Sequence, residues 1–153
     1  MAILVSAFLI GIIAGLRAIM APAVVSWAAG LGWLNLQGTP LSFFSSPIAR
    51  WLFALAALGE LINDKLPRTP SRTIPPQFAT RVITGALSGA ALGAARQQLV
   101  LGLLAGAIGA VAGTLGGASF RGWLSRIIGK DLPAALIEDA IAIVGGLLIV
   151  SHL

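Results

Sequence analysis

"MAILVSAFLIGIIAGLRAIMAPAVVSWAAG", residues 1–30, places one arginine in the middle of an otherwise uncharged apolar run. The stretch lacks a basic leader region, and its apolar pattern continues past Arg17 to about Leu34. It therefore reads as a retained first helix over about 2–29, not as a cleaved signal peptide. At 1.5 Å per residue such a helix is long enough to cross a hydrocarbon core of ~30 Å. A central arginine costs at least ~2.5 kcal/mol on insertion scales. Its head group is expected to face other helices and find an anion there. Gly15 and Pro22 flank it, so a break between them would bend the helix and free carbonyls nearby.

The rest of the chain agrees with lipid as its solvent. Of 153 residues, 58% are hydrophobic and only 10% charged, and mean hydropathy is +0.97. A soluble domain usually carries about 25% charged residues. One of this length still exposes roughly 30% of its unfolded surface, too much for so apolar a composition. The 19 glycines fit membrane helices, where glycine is commoner than in soluble ones. Without cysteine there is no disulfide framework and no thiolate metal site. No Ser/His/Asp set exists, because the one histidine is the penultimate residue, His152. Neither a P-loop nor a zinc motif occurs. Enzyme chemistry, a cofactor, a metal site and nucleic-acid binding are not expected.

The predicted fold class is all-α: a polytopic membrane helical bundle of about five transmembrane helices, forming one integral membrane domain over 1–153. After the first helix the spans are about 48–65, 78–95, 99–120 and 133–152. "LGWLNLQGTPLSFFSSP", 31–47, has the aromatic and proline content of a segment resting at a membrane surface. "LPRTPSRTIPPQF", 66–78, holds four prolines and reads as a solvated loop. "ARQQ", 95–98, suits a tight helical hairpin. In a five-helix count Lys65, Arg68, Arg72, Arg81, Arg121, Arg126 and Lys130 fall on one side, and only Arg50, Arg96 and His152 on the other. The positive-inside rule then puts the N-terminus in the cytoplasm and the C-terminus outside.

Glycines recur at spacing four: Gly85, Gly89 and Gly93; Gly102 and Gly106, then Gly109, Gly113 and Gly117; and Gly11 with Gly15. Such faces let helix backbones approach closely in a glycine-zipper arrangement. They serve packing within one chain or a homo-oligomer seam, and spacing does not separate the two.

The chain has five acids: Glu60, Asp64, Asp131, Glu138 and Asp139. Glu60 and Asp64 share a helix face. Adjacent Glu138 and Asp139 point about 100° apart, so one of them at most is expected to look straight at a common partner. Arg17, Glu60, Asp64, Glu138 and Asp139 are the expected polar path, with Lys65, Arg72, Arg81 and Arg121 as its cytoplasmic rim. Buried ion pairs that only fix the fold are the competing reading. Helices one and two, against four and five, repeat the order glycine-rich span, arginine, carboxylate span, which would suit an inverted repeat.

"GLRA" at 15–18 with Pro22, "GELINDKLP" at 59–67, "TPSR" at 69–72 with Arg81, "GALSGAALG" at 85–93 and "LPAALIEDAIAIVGG" at 132–146 resemble a bacterial membrane-protein family catalogued as domain of unknown function 4126. The resemblance covers nearly the whole chain. It implies a small multi-pass protein of the bacterial cytoplasmic (inner) membrane with no established activity. Its motifs single out Arg17, Glu60, Asp64, Lys65, Arg72, Arg81, Glu138 and Asp139. Many relatives carry further acids after the DK-x-P segment where this chain has Thr69 and Ser71, which weakens a metal reading.

Taken together, the residues lead us to expect a small transporter or channel-like protein for an ion or small polar solute. The alternatives are a non-transporting scaffold or accessory protein with structural charges, or a protein that binds anionic lipid. The lipid bilayer is the expected partner.

Overall fold

In a computed structural model the chain forms a helical bundle. Residues 2–34, 36, 38, 41–63, 75–129 and 131–151 are described. The helices are α1 (Ala2–Leu16), α2 (Met20–Gly30), α3 (Pro47–Asn63), α4 (Pro75–Ala94), α5 (Leu99–Ile128) and α6 (Asp131–Ser151), with a 3-10 turn at Ser42–Ser45 before α3. Among the described residues there is no strand. Pro47 and Pro75 open their helices, where a missing N–H leaves nothing unsatisfied. Pro22 sits in the first turn of α2 for the same reason. α5 stops at Gly129, whose φ of +84° gives a left-handed cap with its N–H on the Ser125 carbonyl at 2.8 Å.

Several expected boundaries move. The helix predicted over 2–29 is two helices separated at Arg17, Ala18 and Ile19. α5 runs eight residues past the predicted end at 120. Pro75 and Pro76 belong to the first turn of α4 and not to a loop, because prolines there cost no helix hydrogen bond. Lys65, at the end of the second predicted span, and Arg68 and Arg72 of the predicted loop lie outside the described residues.

The glycine faces report how the helices run. A methyl group on Gly11 would strike the backbone of Gly106 and Ala110, and one on Gly15 that of Gly113 and Thr114. α1 and α5 therefore lie backbone to backbone and point the same way. Gly85 meets Gly106 and Ala110, whereas Gly93 meets Gln98 and Gly102, so α4 runs opposite to α5. Arg17 meets Glu138 and Asp139, and Ile13 lies beside Gly145, so α6 runs opposite to α1. Val24 of α2 lies beside Gly146, level with Ile13 of α1. The chain has turned back on itself: α1 and α2 form a hairpin whose tip is residues 17–19.

This extra reversal overturns two expectations. With one straight first helix, α1 and α5 would be opposed; they are parallel. The start of α1 and the end of α6 therefore lie at the same end of the bundle, and the N-in, C-out arrangement does not hold. For the same reason the proposed repeat pairs are not inverted, since α1 and α5 would have to point in opposite directions.

α5 is long and apolar enough to cross a membrane, while α1 and α2 are apolar but shorter. Small residues line the contacts among α1, α4 and α5, Ile10, Leu36, Phe44 and Leu92 are buried, and many other large apolar residues face outward. Ile48, Leu52, Leu55 and Ile62 stand exposed along α3; Val100, Leu104, Ile108 and Leu115 along α5; Leu136, Ile141, Val144 and Leu148 along α6. The two ends of the bundle carry aromatic groups. Trp27 meets Trp51 edge-on with ring centres 5.3 Å apart, and Phe43, Phe44 and Phe53 stack at one end. Phe120 and Trp123 pair near the other.

Candidate functional site

The tip of the α1–α2 hairpin lies inside the bundle, and its backbone needs partners there. Two helix ends meet at it. The last carbonyls of α1 carry partial negative charge, and the first N–H groups of α2 partial positive charge. Side chains of matching sign satisfy both. Arg81 of α4 donates from Nη1 to the Gly15 carbonyl at 2.9 Å. Arg17 donates from Nη1 to the Leu16 carbonyl at 3.0 Å. Opposite them, Glu60 of α3 accepts the Ala18 N–H at 2.9 Å and the Ile19 N–H at 3.1 Å, one on each carboxylate oxygen. A distant carboxylate thus caps α2, whose own N-cap position holds Ile19 with no capping side chain.

Arg17 carries the remainder of the site. Its side chain is 1% exposed. Nε donates to Asp139 Oδ1 at 2.6 Å, Nη2 also reaches Asp139 Oδ1, and Nη1 reaches Glu138 Oε1 at 2.9 Å. Both adjacent acids therefore bind one partner, against the expectation from their angular separation. The guanidinium is a broad fork with five donors. Its Nε/Nη2 edge faces one carboxylate and its Nη1 corner the other. Charge-assisted bonds of this kind are the strong class.

The structure gathers Arg17, Glu60, Glu138 and Asp139 as the sequence suggested, and adds Arg81. Arg81, expected on a rim, is buried, at 4% exposed. The reason is that Arg81 sits about 9 Å inside the start of α4, level with the carbonyl it binds. Arg121 is half-buried in α5, about 10 Å beyond Thr114 toward the end of that helix. Asp64, Lys65 and Arg72 lie outside the described residues. Sequence reasoning missed Thr114. It is fully buried, its backbone meets Gly15, and its hydroxyl finds no hydrogen-bond partner among the described residues. A polar residue on the glycine face of α5 was the available signal.

Among the described residues, no three His, Cys, Asp or Glu side chains gather as a metal site. An open groove of about 500 Å³, lined by Gly38, Ala94, Gln97, Gln98 and Leu99–Leu101, lies at the far end of the bundle from the hairpin tip.

These features define a class: a small all-α protein whose first two helices meet at a buried turn held by charges. The chain belongs to the family described as Domain of unknown function (DUF4126), whose profile matches residues 4–152. No curated protein and no solved structure matches it.

Proposed function

We propose that this is a polytopic protein of the bacterial inner membrane in which α3 to α6 span the bilayer and α1–α2 form a hairpin reaching into it. α3, α4 and α6 have 17, 20 and 21 residues, within the ~17–25 residue range of a span. Their outward apolar faces and the aromatic groups at the two ends suit lipid and its interfaces. The end holding Arg81, Arg121 and Arg126 is joined by sequence to Lys65, Arg68 and Arg72. By the positive-inside rule that end is cytoplasmic, which puts the start of α1 and the end of α6 outside.

Within that frame the protein is a small transporter or channel-like protein for an ion or small polar solute, here in a closed state. The observation that carries this reading is the helix break inside the bundle, with Arg17, Arg81 and Glu60 on the backbone groups that the break leaves open. Broken helices whose ends face charged groups are how many transporters build their sites. A bundle needing only stability would do as well with apolar packing there. Flux of sodium, potassium, proton and chloride in liposomes of the full chain tests it. Glu60→Gln and Arg17→Ala are expected to abolish a flux that the parent shows. No flux of any of these ions in the parent, with both variants unfolded, contradicts it.

One observation favours the scaffold alternative. Arg17 is sealed against two carboxylates, as a purely structural ion cluster would be. The flux measurement separates the two readings.

A further inference from the structure

At the end of the bundle away from the hairpin tip, one cation stands apart from the charges described above. Arg50 lies in the first turn of α3, beside the last turn of α2. Its guanidinium carbon sits 5.1 Å from the centre of the Trp27 ring, and a methyl group built on Gly30 would strike its Nη1. Trp27 in turn meets Trp51 edge-on. Contact with a ring face uses the charge of a guanidinium and leaves its N–H donors unused. Arg17 and Arg81 donate to carboxylates and carbonyls. Arg50 does not. Its Nε is buried without a hydrogen-bond partner, and among the described residues no acceptor meets the guanidinium. Buried donors in native proteins are matched by an acceptor. Glu60, the described acid nearest along α3, is about 15 Å further down the helix.

We propose that Arg50 binds the phosphate of a phospholipid headgroup, with Trp27 and the end of α2 fixing the guanidinium for it. The inference rests on the bilayer placement of α3 under the reading above, and not on transport. A planar guanidinium offers paired N–H groups that match two oxygens of a phosphate diester. The surface below the site suits the rest of the lipid. Trp51, Leu52, Leu55, Leu58 and Ile62 are each more than half exposed and run down one side of α3. From Trp51 to Ile62 the helix descends about 17 Å, close to the ~15 Å depth of one leaflet. An acyl chain lying on that stripe brings its headgroup to the level of Trp51 and Arg50. Tryptophan is enriched at that level of a bilayer.

The site has a structural consequence. α3 packs mainly on α2 and the 3-10 turn. A phosphate on Arg50 therefore sits at the seam that joins α3 to the bundle. A ligand that binds only the folded chain stabilises it by mass action, so the lipid fastens α3 in place.

Native mass spectrometry of the full chain, released from detergent with added phosphatidylethanolamine, tests this. That lipid has no net charge, so general attraction to the basic end of the bundle contributes little. The parent is expected to retain it saturably. Arg50→Gln should bind it about tenfold more weakly, through loss of a charge-assisted contact. Arg50→Lys should fall between, because an ammonium does not pair with two oxygens at once, and Arg126→Gln, at the other end, should match the parent. Diacylglycerol, which lacks the phosphate, should not be retained, and inorganic phosphate at the lipid's concentration should not displace the lipid. Those two comparisons need no variant to fold. Equal retention by the parent and Arg50→Gln, full retention by Arg50→Lys, or an equal loss in Arg126→Gln overturns the proposal. So does retention of diacylglycerol or displacement by inorganic phosphate. Membrane integration is scored separately. A chain that alkaline washing strips from vesicles refutes the bilayer reading, whereas one that stays in the membrane without retaining the lipid refutes this inference alone.

Discussion

At the scale of the residue, Arg17 decides the interior. Its loss takes from Glu138 and Asp139 the buried guanidinium that both bind, and Arg17→Met is expected to destabilise the fold by about 3–5 kcal/mol in a detergent or lipid unfolding assay. Replacing all three at once, with Arg17→Met, Glu138→Leu and Asp139→Leu, removes the charges together. Stability should then return to near the parent value or exceed it, while any ion flux stays lost. A triple variant no more stable than Arg17→Met would mean that the groups do not act on one another. The sequence pointed to this residue plainly, since a lone charge in an apolar run must find a partner. It did not show that one guanidinium would serve both Glu138 and Asp139. That depends on the reach and width of a side chain and not on helix angles. Arg81 was misplaced because its distance from the start of α4 was judged with Pro75 and Pro76 outside the helix.

Among the elements, the glycines of α1, α4 and α5 set how closely the helices approach. Added methyl groups at Gly106 or Gly109 would run into the backbones of α4 and α1 respectively. Gly106→Ala and Gly109→Ala are each expected to cost about 1–3 kcal/mol through overpacking. Gly116 and Gly122 lie on the same helix with nothing near a built methyl group. Gly116→Ala and Gly122→Ala should be neutral or stabilising by up to about 1 kcal/mol, from helix propensity alone. Equal effects in the two pairs, read as thermal midpoints, would refute the packing account. The spacing of four was visible in the sequence, and so were the helices themselves. The hairpin between α1 and α2 was not. Gly15 and Pro22 mark a break, but an apolar helix going forward and one coming back have the same composition. What settles the direction is the partner of each glycine, and that is a tertiary fact.

For the whole molecule, one unnoticed reversal changes which side each end occupies. Of the counted bases, Arg81, Arg121 and Arg126 lie toward the hairpin-tip end of the bundle, and Lys65, Arg68, Arg72 and Lys130 lie outside the described residues. The inference about the ends does not hold, since every reversal flips it. The chain has no cysteine, so single cysteines report topology cleanly. Gln97→Cys and Ser151→Cys should react with an impermeant thiol reagent from the same side, and Arg126→Cys only from the other. Labelling of Ser151→Cys and Arg126→Cys from one side would contradict the arrangement. The central claim is that the chain doubles back at Arg17–Ile19 on a turn held by charges, and a distance tests it most directly. Val5 and Leu31 are both exposed and stand 26 residues apart. Spin labels there, measured in lipid by pulsed dipolar spectroscopy, should lie within roughly 20 Å, two interhelical spacings; a separation near the roughly 39 Å of one continuous helix would contradict the account.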